Sequence, residues 1–295
     1  MQQDWLNSVI TQAFQLAPTG ITFTDSPVPL EQQVKEDFVT MLPLTGMLVI
    51  EGSDAATFLQ GQLSCDLGQV NLTTACRGVH CTPKGRAIAS FILCQASTHH
   101  YNILLPYSTL PTLRQSLAKY IVFSKAQLLD ATNSWAFFGL AGTSARDFIQ
   151  RHGGGSLPAG PLSRASFKAG HCIQLEGLSP RYLVALPRSE AGSFWQACCG
   201  ELAIADSAAW ELLDIRQGIG NIVAGTSEVF IPQMLNLDKL DAISFRKGCY
   251  TGQEVVARAH YRGAVKRRMR YFTAVADTVP TAGSALAGES VSGTF

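Results

Sequence analysis

The sequence predicts an α+β fold, and three observations support this prediction. Strand and helix patterns follow one another in the order strand–helix–strand–strand–helix–strand, which indicates helices on one face of a sheet. A similar order begins again at Trp135. The chain has 295 residues, 46% of them hydrophobic and 15% charged, which is enough to bury a large core in two or three domains.

The first unit follows a leader arm of about 40 residues that contains a short helix. Residues 44–51 (LTGMLVIE) have the pattern of a buried strand. Residues 53–63 place apolar side chains at helical spacing, with Ser53 or Asp54 as the helix cap. The remaining elements are two strands around the turn TPKG at 82–85, a strand at 99–106, a helix at 110–123 and a strand at 124–132.

The second unit repeats this order over a shorter stretch. It consists of a strand at 134–142, a helix at 143–153, paired strands at 171–178 and 181–187, and a helix at 190–202. A further helix at 207–220 contains Trp210, and residues 271–295 alternate apolar and small residues as short strands do. The chain ends within this alternation, which predicts an incomplete final β unit.

The charge distribution, the apolar stretches and the cysteines limit the classes of function that this chain can have. The net charge is +1, but residues 246–270 hold eight basic residues against Glu254 alone, a local charge of +7. This strip indicates an anionic partner such as phosphates, a polyglutamate tail or RNA, although a solvated helix and strand end would look the same. No apolar stretch reaches membrane-spanning length, and the amino terminus lacks a signal-peptide pattern. The eight cysteines form no CxxC pair, which predicts a cytoplasmic chain with reduced thiols and no metal site.

The segment KGCYTGQE (residues 247–254, the signature segment below) precedes a plausible helix. Thr251 and Glu254 have the spacing of a capping box, in which two side chains satisfy free backbone donors. Glu254 and Arg258 are four residues apart in the favourable order for an ion pair. The sequence therefore predicts a helix start just after Tyr250.

Cys249 would lie close to the positive end of that helix. The helix dipole, Arg246 and Lys247 favour a reactive thiolate there. Gly248 and Gly252 remove side-chain bulk, so that a ligand or another backbone can approach. The alternative is that Cys249 is a small buried hydrophobic residue, as most single cysteines are.

Residues 230–269 closely resemble the YgfZ family, whose members are folate-binding proteins related to the T-protein (aminomethyltransferase) of the glycine cleavage system. The segments 58–67 (FLQGQLSCDL), 82–86 (TPKGR) and 119–126 (KYIVFSKA) extend the resemblance over about residues 40–295. It implies three domains in a ring around a channel that holds a reduced folate. It also implies a role in assembling or repairing iron–sulfur proteins, with a link to tRNA modification.

The resemblance assigns domains and site residues. The expected domains are 1–130 with the amino-terminal arm, completed by 205–248; 131–204; and 249–295, comprising the signature helix and part of a carboxy-terminal β-barrel. The expected catalytic residues are Cys249, the signature thiol, and Lys247. The expected residues for tetrahydrofolate or a derivative are Trp210 as a stacking wall, Arg262 for the glutamate tail, and Gly248, Tyr250, Gly252, Gln253 and Glu254 around the thiol.

Two departures from the related enzymes affect the predicted activity. The T-protein has an acidic pair where this chain has Ala89 and Ser90, which argues against aminomethyl transfer. Relatives often carry a glutamate where this chain has Arg216, and arginine cannot accept hydrogen bonds from a pterin. Asp214 is a possible substitute for that glutamate.

The resulting hypothesis is a folate-binding accessory protein for the assembly or repair of iron–sulfur proteins, which uses the signature thiol next to a tetrahydrofolate site. Its expected partners are folate, iron–sulfur client proteins and tRNA. One alternative is a tetrahydrofolate-dependent aminomethyl or methyl transferase. Another is an RNA-binding module that uses residues 258–270, for which exposed aromatic residues other than Tyr261 are lacking in the strip.

Overall fold

The computed structural model describes residues 2–24, 28–153, 157–263, 265–273, 285–287 and 292–294. The α-helices are Gln2–Val9 (α1), Leu30–Gln33 (α2), Ala55–Gln62 (α3), Leu110–Ala118 (α4), Thr143–His152 (α5), Arg188–Cys199 (α6), Ser207–Arg216 (α7) and Gln253–Tyr261 (α8). The strands are Phe14–Ala17 (β1), Gly20–Phe23 (β2), Phe38–Met41 (β3), Thr45–Glu51 (β4), Cys76–Cys81 (β5), Ala87–Ser97 (β6), His100–Pro106 (β7), Gln127–Asp130 (β8), Trp135–Ala141 (β9), Arg164–Phe167 (β10), Gly170–Leu175 (β11), Arg181–Pro187 (β12), Ala203–Ile204 (β13), Ala285–Ala287 (β14) and Ser292–Thr294 (β15).

These elements confirm the predicted α+β class. The described residues form two large sheets and two two-stranded ones, and none of these closes into a barrel. Strands β14 and β15 pair antiparallel, whereas most of the predicted strand region at 271–295 lies outside the described residues. In the described part of the chain, no helix has the length and hydrophobicity needed to cross a membrane.

The first large sheet is antiparallel and has the strand order β5-β6-β7-β4-β8. Strand β4, which lies between β7 and β8, is buried on both faces, which explains why its sequence is almost continuously hydrophobic. Leu48 and Ile50 face the core that includes residues of helices α3 and α4. Met47 and Val49, on the other face of β4, pack into the core shared with the second sheet.

The second large sheet has the order β10-β11-β12-β9-β3-β13 and is antiparallel except for the β3–β13 pair. Its outer face is covered by α1, α5 and α6 through a core that includes Leu6, Phe138, Phe148 and Trp195. The amino-terminal arm therefore packs on the second sheet and contributes β3 to it. The division of the chain into domains stays a prediction.

The two large sheets pack face to face. Ile92 and Leu104 of the first sheet share an apolar core with Phe137, Ile173 and Leu183 of the second. A short bridge also joins the sheets, in which Ala75 N donates to Leu162 O at 2.7 Å. Burial at this interface brings polar groups together as well. The ring nitrogen Nε2 of the fully buried His171 lies 3.8 Å from Cys94 Sγ.

Two local predictions from the sequence differ from the structure. Asp54 is the residue before α3, but its carboxylate accepts a hydrogen bond from Lys125 N at 2.8 Å and caps no helical donor. Neither Asp54 nor Ser53 therefore acts as the predicted side-chain cap. The predicted helix at 110–123 ends at Ala118, and residues 121–123 form a separate 3₁₀ turn.

We expect His171 to make folding sensitive to acid. Burial, and secondarily Arg164, lower the pKa of His171 to about 3, whereas an unfolded histidine titrates near its ordinary value of about 6.5. Between these two pKa values the unfolded chain binds a proton on His171 and the folded chain does not. The free energy of unfolding therefore falls as the pH drops from about 6.5 towards about 3. Between pH 7 and pH 5 the loss should reach roughly 2 kcal/mol, and His171→Phe should remove this part of the slope.

Urea unfolding at the two pH values measures this effect. His99→Asn is the matched control because His99 is exposed and its backbone has a φ of 60°, which asparagine tolerates. Equal pH slopes for His171→Phe and the unchanged protein would contradict the assignment.

Candidate functional site: a cavity between the sheets and the signature segment

A cavity of about 630 Å³ is lined by residues of both large sheets. Arg77 and Ser90 line it from the first sheet, Leu175 and Leu183 from the second, and helix α7 from the side. This volume lies within the usual range for small-molecule sites, and the lining is mostly apolar with a few polar groups.

Helix α7 presents one stripe to the cavity. Ser207, Trp210, Glu211 and Asp214 all line it, at the spacing i, i+3, i+4 and i+7 of a single helix face. Arg216 comes two residues after Asp214, about 200° further around the helix. It lies outside the cavity, where its guanidinium pairs with Glu31.

Trp210 forms a rigid part of the cavity wall. Its ring lies against Gly139, where an added Cβ would come within 2.4 Å of Trp210 Cε3. The Arg181 guanidinium lies over the indole ring, 4.4 Å from its centroid. Only 7% of Trp210 is exposed, so a ligand could reach the indole only from the cavity.

Ion pairs hold the other charged groups of the wall. Arg77 donates two hydrogen bonds to Glu176, at 3.1 and 2.6 Å, and this pair joins the first sheet to the second. Arg181 Nη2 donates to Asp214 Oδ1 at 2.6 Å, and Asn221 Nδ2 donates to Asp214 Oδ2 at 3.2 Å. These contacts fix Asp214 as an acceptor that is already engaged.

The signature segment is built on a different surface. Thr251 donates its backbone N–H to Gly61 O at 3.3 Å and its hydroxyl to Gln62 Oε1 at 3.1 Å. It therefore does not cap α8, and the predicted capping box is wrong. The helix instead starts after Gly252, which has a left-handed φ of +84°. Glycine has no side chain, so no side chain caps this helix end. The predicted Glu254–Arg258 pair is confirmed, at 2.6 Å.

Two glycines allow the signature segment to pack against the turn TPKG. A Cβ on Gly252 would lie 2.5 Å from Thr82 O, and a Cβ on Gly85 would lie 2.7 Å from the Val255 side chain. Both residues also have positive φ values, which favour glycine. Nothing lies within 4 Å of a Cβ placed on Gly248, so the described structure does not require glycine there.

Lys247 anchors the signature segment to the end of α3. Its ammonium group donates to the backbone oxygens of Gln60, Leu63 and Cys65, at 2.6, 2.8 and 2.8 Å. It also lies 5.4 Å from the centroid of the buried Tyr250 ring. Burial lowers the pKa of Lys247, and this effect outweighs the nearby Cys65, Asp66 and Cys76, which raise it. All three N–H bonds have acceptors, so the described contacts give Lys247 a positioning role, and its catalytic role stays a prediction.

Cys249 is the exposed cysteine of the chain. Cys65, Cys81, Cys94, Cys172 and Cys198 are buried, and Cys76 and Cys199 are partly buried. Burial raises the pKa of Cys81 to about 12 and that of Cys94 to about 11. Accessibility therefore distinguishes Cys249 from the other seven thiols. Within the described ranges, no group of three or more histidine, cysteine or acidic residues could hold a metal ion.

Comparison with known proteins places the chain among curated relatives. No family model matches it. A tRNA-modifying protein YgfZ from Photobacterium profundum is 34% identical over 244 residues, covering 82% of this chain and 71% of the relative. The chain belongs to the YgfZ family. A YgfZ protein from Edwardsiella ictaluri is also 34% identical, over 82% of this chain and 74% of that relative.

The fold of this YgfZ family member is that of an aminomethyltransferase. The glycine cleavage system aminomethyltransferase T from Bartonella henselae superposes with a TM-score of 0.70 over 88% of this chain and 74% of that one. The two sequences are only 12% identical, so the likeness concerns the fold. Ala89, at the first position of the missing acidic pair, is fully buried in the core of the first sheet. Ser90 lines the cavity and accepts a hydrogen bond from Ile222 N at 3.0 Å.

The predicted site residues of this YgfZ chain fall into two groups. Trp210 lines the cavity, whereas residues 247–254 and Arg262 do not. Arg262 and Glu254 are exposed on and just after α8. Gln253 is partly buried, and its side-chain amide lies 3.5 Å from Gly248 O. The β5–β6 hairpin connects the two groups, because it lines the cavity at one end and carries the TPKG turn at the other.

Sequence reasoning missed two charged cavity residues, Glu211 and Arg77. The signal for Glu211 was present, since it directly follows Trp210 and precedes Asp214 by three residues on the same helical stripe. Arg77 gave no such signal, because its partner Glu176 is 99 residues away in the chain.

We expect Gly252→Ala to weaken the docking of the signature segment. A methyl group there meets Thr82 O at 2.5 Å on a backbone with φ +84°, so the free energy of unfolding should fall by roughly 1–3 kcal/mol. Gly248→Ala is the matched control, with an expected change within about 0.5 kcal/mol. Urea unfolding monitored by circular dichroism measures both. Equal effects of the two substitutions would contradict the packing described here.

Proposed function

We propose that this YgfZ family member is a cytoplasmic folate-binding accessory protein that assists the assembly or repair of iron–sulfur proteins and is linked to tRNA modification. The observation that carries the proposal is the cavity of about 630 Å³ with the Trp210 wall, found in the same chain as a signature segment that exposes one thiol. In this proposal the cavity binds folate, and Cys249 performs the accessory role.

The cavity suits a flat heterocycle joined to a longer tail. An indole wall provides a surface for ring stacking, and the apolar side chains of Leu175 and Leu183 allow the ring to leave water. The few polar groups provide orientation, as is usual in small-molecule sites. A tetrahydrofolate derivative combines these features, and the T-protein fold offers a precedent for the architecture.

The accessory role rests on the contrast between the two sites. Neither Ala89 nor Ser90 provides a carboxylate at the place of the acidic pair, which disfavours the alternative of aminomethyl transfer. Cys249 lies outside the cavity lining, on an exposed surface that a protein client could reach. An exposed thiol without a metal-binding cluster in the described residues fits action on clusters carried by other proteins.

An exposed surface beside helix α8 supports the proposed link to tRNA. The relatives named above are tRNA-modifying proteins. Tyr261 and Tyr271 are 67% and 49% exposed, and the exposed basic residues Arg262, Arg267 and Arg270 lie between or beside them in the chain. Exposed aromatic rings among cations are suited to stacking on nucleic acid bases, and Tyr271 lies just beyond the strip considered from sequence.

Reduced folate should quench the fluorescence of Trp210. Stacking against the cavity face of the indole would do so, and Trp210→Phe should weaken binding by about 1 kcal/mol because the smaller ring offers less stacking area. Trp5→Phe is the control, since Trp5 does not line this cavity. Equilibrium titration with 5-formyltetrahydrofolate measures the affinity and the quenching. Undiminished affinity and quenching in Trp210→Phe would remove Trp210 from the site.

Cys249→Ser should abolish function in cells while the fold is retained, because the residue is exposed. The measurement is the activity of an iron–sulfur dehydratase in cells that lack the protein and are complemented with each variant at equal expression. Cys199→Ser, which changes a partly buried thiol, should restore full activity. Full rescue by Cys249→Ser would reject the thiol mechanism and leave a folate-binding or scaffolding role.

A further inference from the structure

Three aromatic rings meet at the carboxy-terminal end of α8, outside the lining of the cavity. The ring of His260 stacks on that of Phe245, with the ring centroids 3.8 Å apart and the planes 18° from parallel. Tyr261 meets both rings edge-on, with its centroid 4.8 Å from that of His260 and 5.9 Å from that of Phe245. Phe245 also packs against the core that includes Val256, which fixes the cluster to the protein. Phe245, His260 and Tyr261 are the aromatic platform below.

The outer rings of the aromatic platform are ordered and yet open to solvent. His260 is exposed, and 67% of Tyr261 is exposed although two other rings hold it in place. The sequence of the basic strip 258–270 holds one tyrosine and no phenylalanine or tryptophan. Folding brings Phe245 to this strip from outside it, so that single tyrosine becomes part of a cluster of rings. A flat partner that stacks here orders few further side chains, which lowers the entropic cost of binding.

Exposed cations continue the surface around the platform. Arg246 and Arg262 each follow a platform residue directly in the chain. Asp238 joins the platform to the segment after α8, since it pairs with Arg268 at 2.7 Å and lies within electrostatic reach of His260. The exposed basic side chains that have no carboxylate partner in the described part of this region are Arg246, Arg262, Lys266, Arg267 and Arg270.

We infer that the aromatic platform binds an unpaired nucleotide of RNA, with the base stacked on the exposed rings of His260 and Tyr261 and the adjoining phosphates on the exposed arginines. This inference rests on the link to tRNA proposed above and adds the part of an RNA that the surface accepts. In a duplex the neighbouring bases cover each base face, so a protein ring stacks on bases of loops, bulges or ends. The planar guanidinium of arginine binds phosphate oxygens in pairs.

An anionic membrane is the other partner that a basic surface with aromatic rings could attract. Helices that bind a membrane surface insert aliphatic side chains such as leucine together with aromatic ones. In the described residues from 245 to 273, the large apolar side chains that are exposed are all aromatic, namely Tyr261, Tyr271 and Phe272. A surface that exposes rings and cations without large aliphatic groups fits bases and phosphates better than lipid chains.

Equilibrium binding of three RNA probes to the full chain tests the inference. The probes are an unstructured strand of about 12 nucleotides, the duplex of that strand with its complement, and an abasic strand of the same length. The unchanged protein should prefer the first probe about tenfold or more, because the other two offer phosphates but no free base face. Tyr261→Ala should remove most of this preference and leave the affinity for the other two probes unchanged. Tyr261→Phe, which keeps the ring, should retain the preference.

Two further variants separate the rings from the charges. Arg262→Gln should weaken binding of all three probes and reduce the salt dependence on single strands by roughly 0.7 in log–log slope, since one phosphate contact is lost. Tyr120→Ala is the matched control, because Tyr120 is a 40% exposed tyrosine outside the platform, and it should bind all probes like the unchanged protein. Circular dichroism verifies that each variant keeps its fold.

The outcomes separate the inference from the function on which it rests. Selective loss of the unstructured strand in Tyr261→Ala supports the role of the platform. If Tyr261→Ala keeps the full preference, or if the unchanged protein binds all three probes equally, the inference is overturned while the link to tRNA stands. If the protein binds no RNA probe, whether or not it binds vesicles of phosphatidylglycerol, both the inference and the RNA surface proposed above fail.

Discussion

The face-to-face packing of the two large sheets is the constraint on which the rest of the structure depends. Strand β4 is hydrophobic on both faces because one face meets α3 and α4 and the other meets the second sheet. The apolar contact keeps the sheets together, and the Arg77–Glu176 pair crosses between them beside the cavity. Because sheets twist, such packing cannot stay close over the whole surface. The cavity occupies the place where α7, and not a strand, fills part of the gap.

The β5–β6 hairpin gives the two candidate sites a common support. Arg77, Gly78 and Ser90 contribute to the cavity on the part of the hairpin remote from its turn. Its turn receives Gly252 on the opposite side, and the chain after α3 runs along β5, with Ser64 N donating to Val79 O at 3.0 Å. Lys247 closes this arrangement by binding the carbonyl groups after α3. The cavity and the thiol surface are thus separate in space but share one rigid element.

Local patterns in the sequence were sufficient to predict most strands and helices of the two large sheets. Alternating and continuous apolar runs identified β4, β9 and β12, since those runs reflect which faces are buried. The failures came from long-range partners. Asp54 bonds to Lys125, and Thr251 bonds to Gln62, so both side chains that matched a capping pattern serve another part of the chain.

The residues of the candidate site that lie on one helix or in one sequence motif could be predicted from the sequence. Trp210 and the exposed Cys249 were identified from sequence, and the helical stripe that holds Glu211 could have been. The contacts of Lys247 could not, because its three acceptors are backbone oxygens more than 180 residues earlier in the chain. The sequence showed that Lys247 is close to Cys249 along the chain. It did not show that the ammonium group of Lys247 binds backbone oxygens at the end of α3.

The environment of Arg181 has a consequence for the entropy of ligand binding. This side chain is fully buried and simultaneously contacts the Trp210 ring, the Asp214 carboxylate and the backbone oxygen of Glu176. A free arginine loses up to about 2 kcal/mol of rotamer freedom when it is fixed, and here that loss occurs when the chain folds. The indole and its neighbouring carboxylate are therefore already ordered before a ligand arrives. A ligand that binds at this wall therefore orders few further side chains. The entropic cost of binding is small, so a small contact area can give a useful affinity.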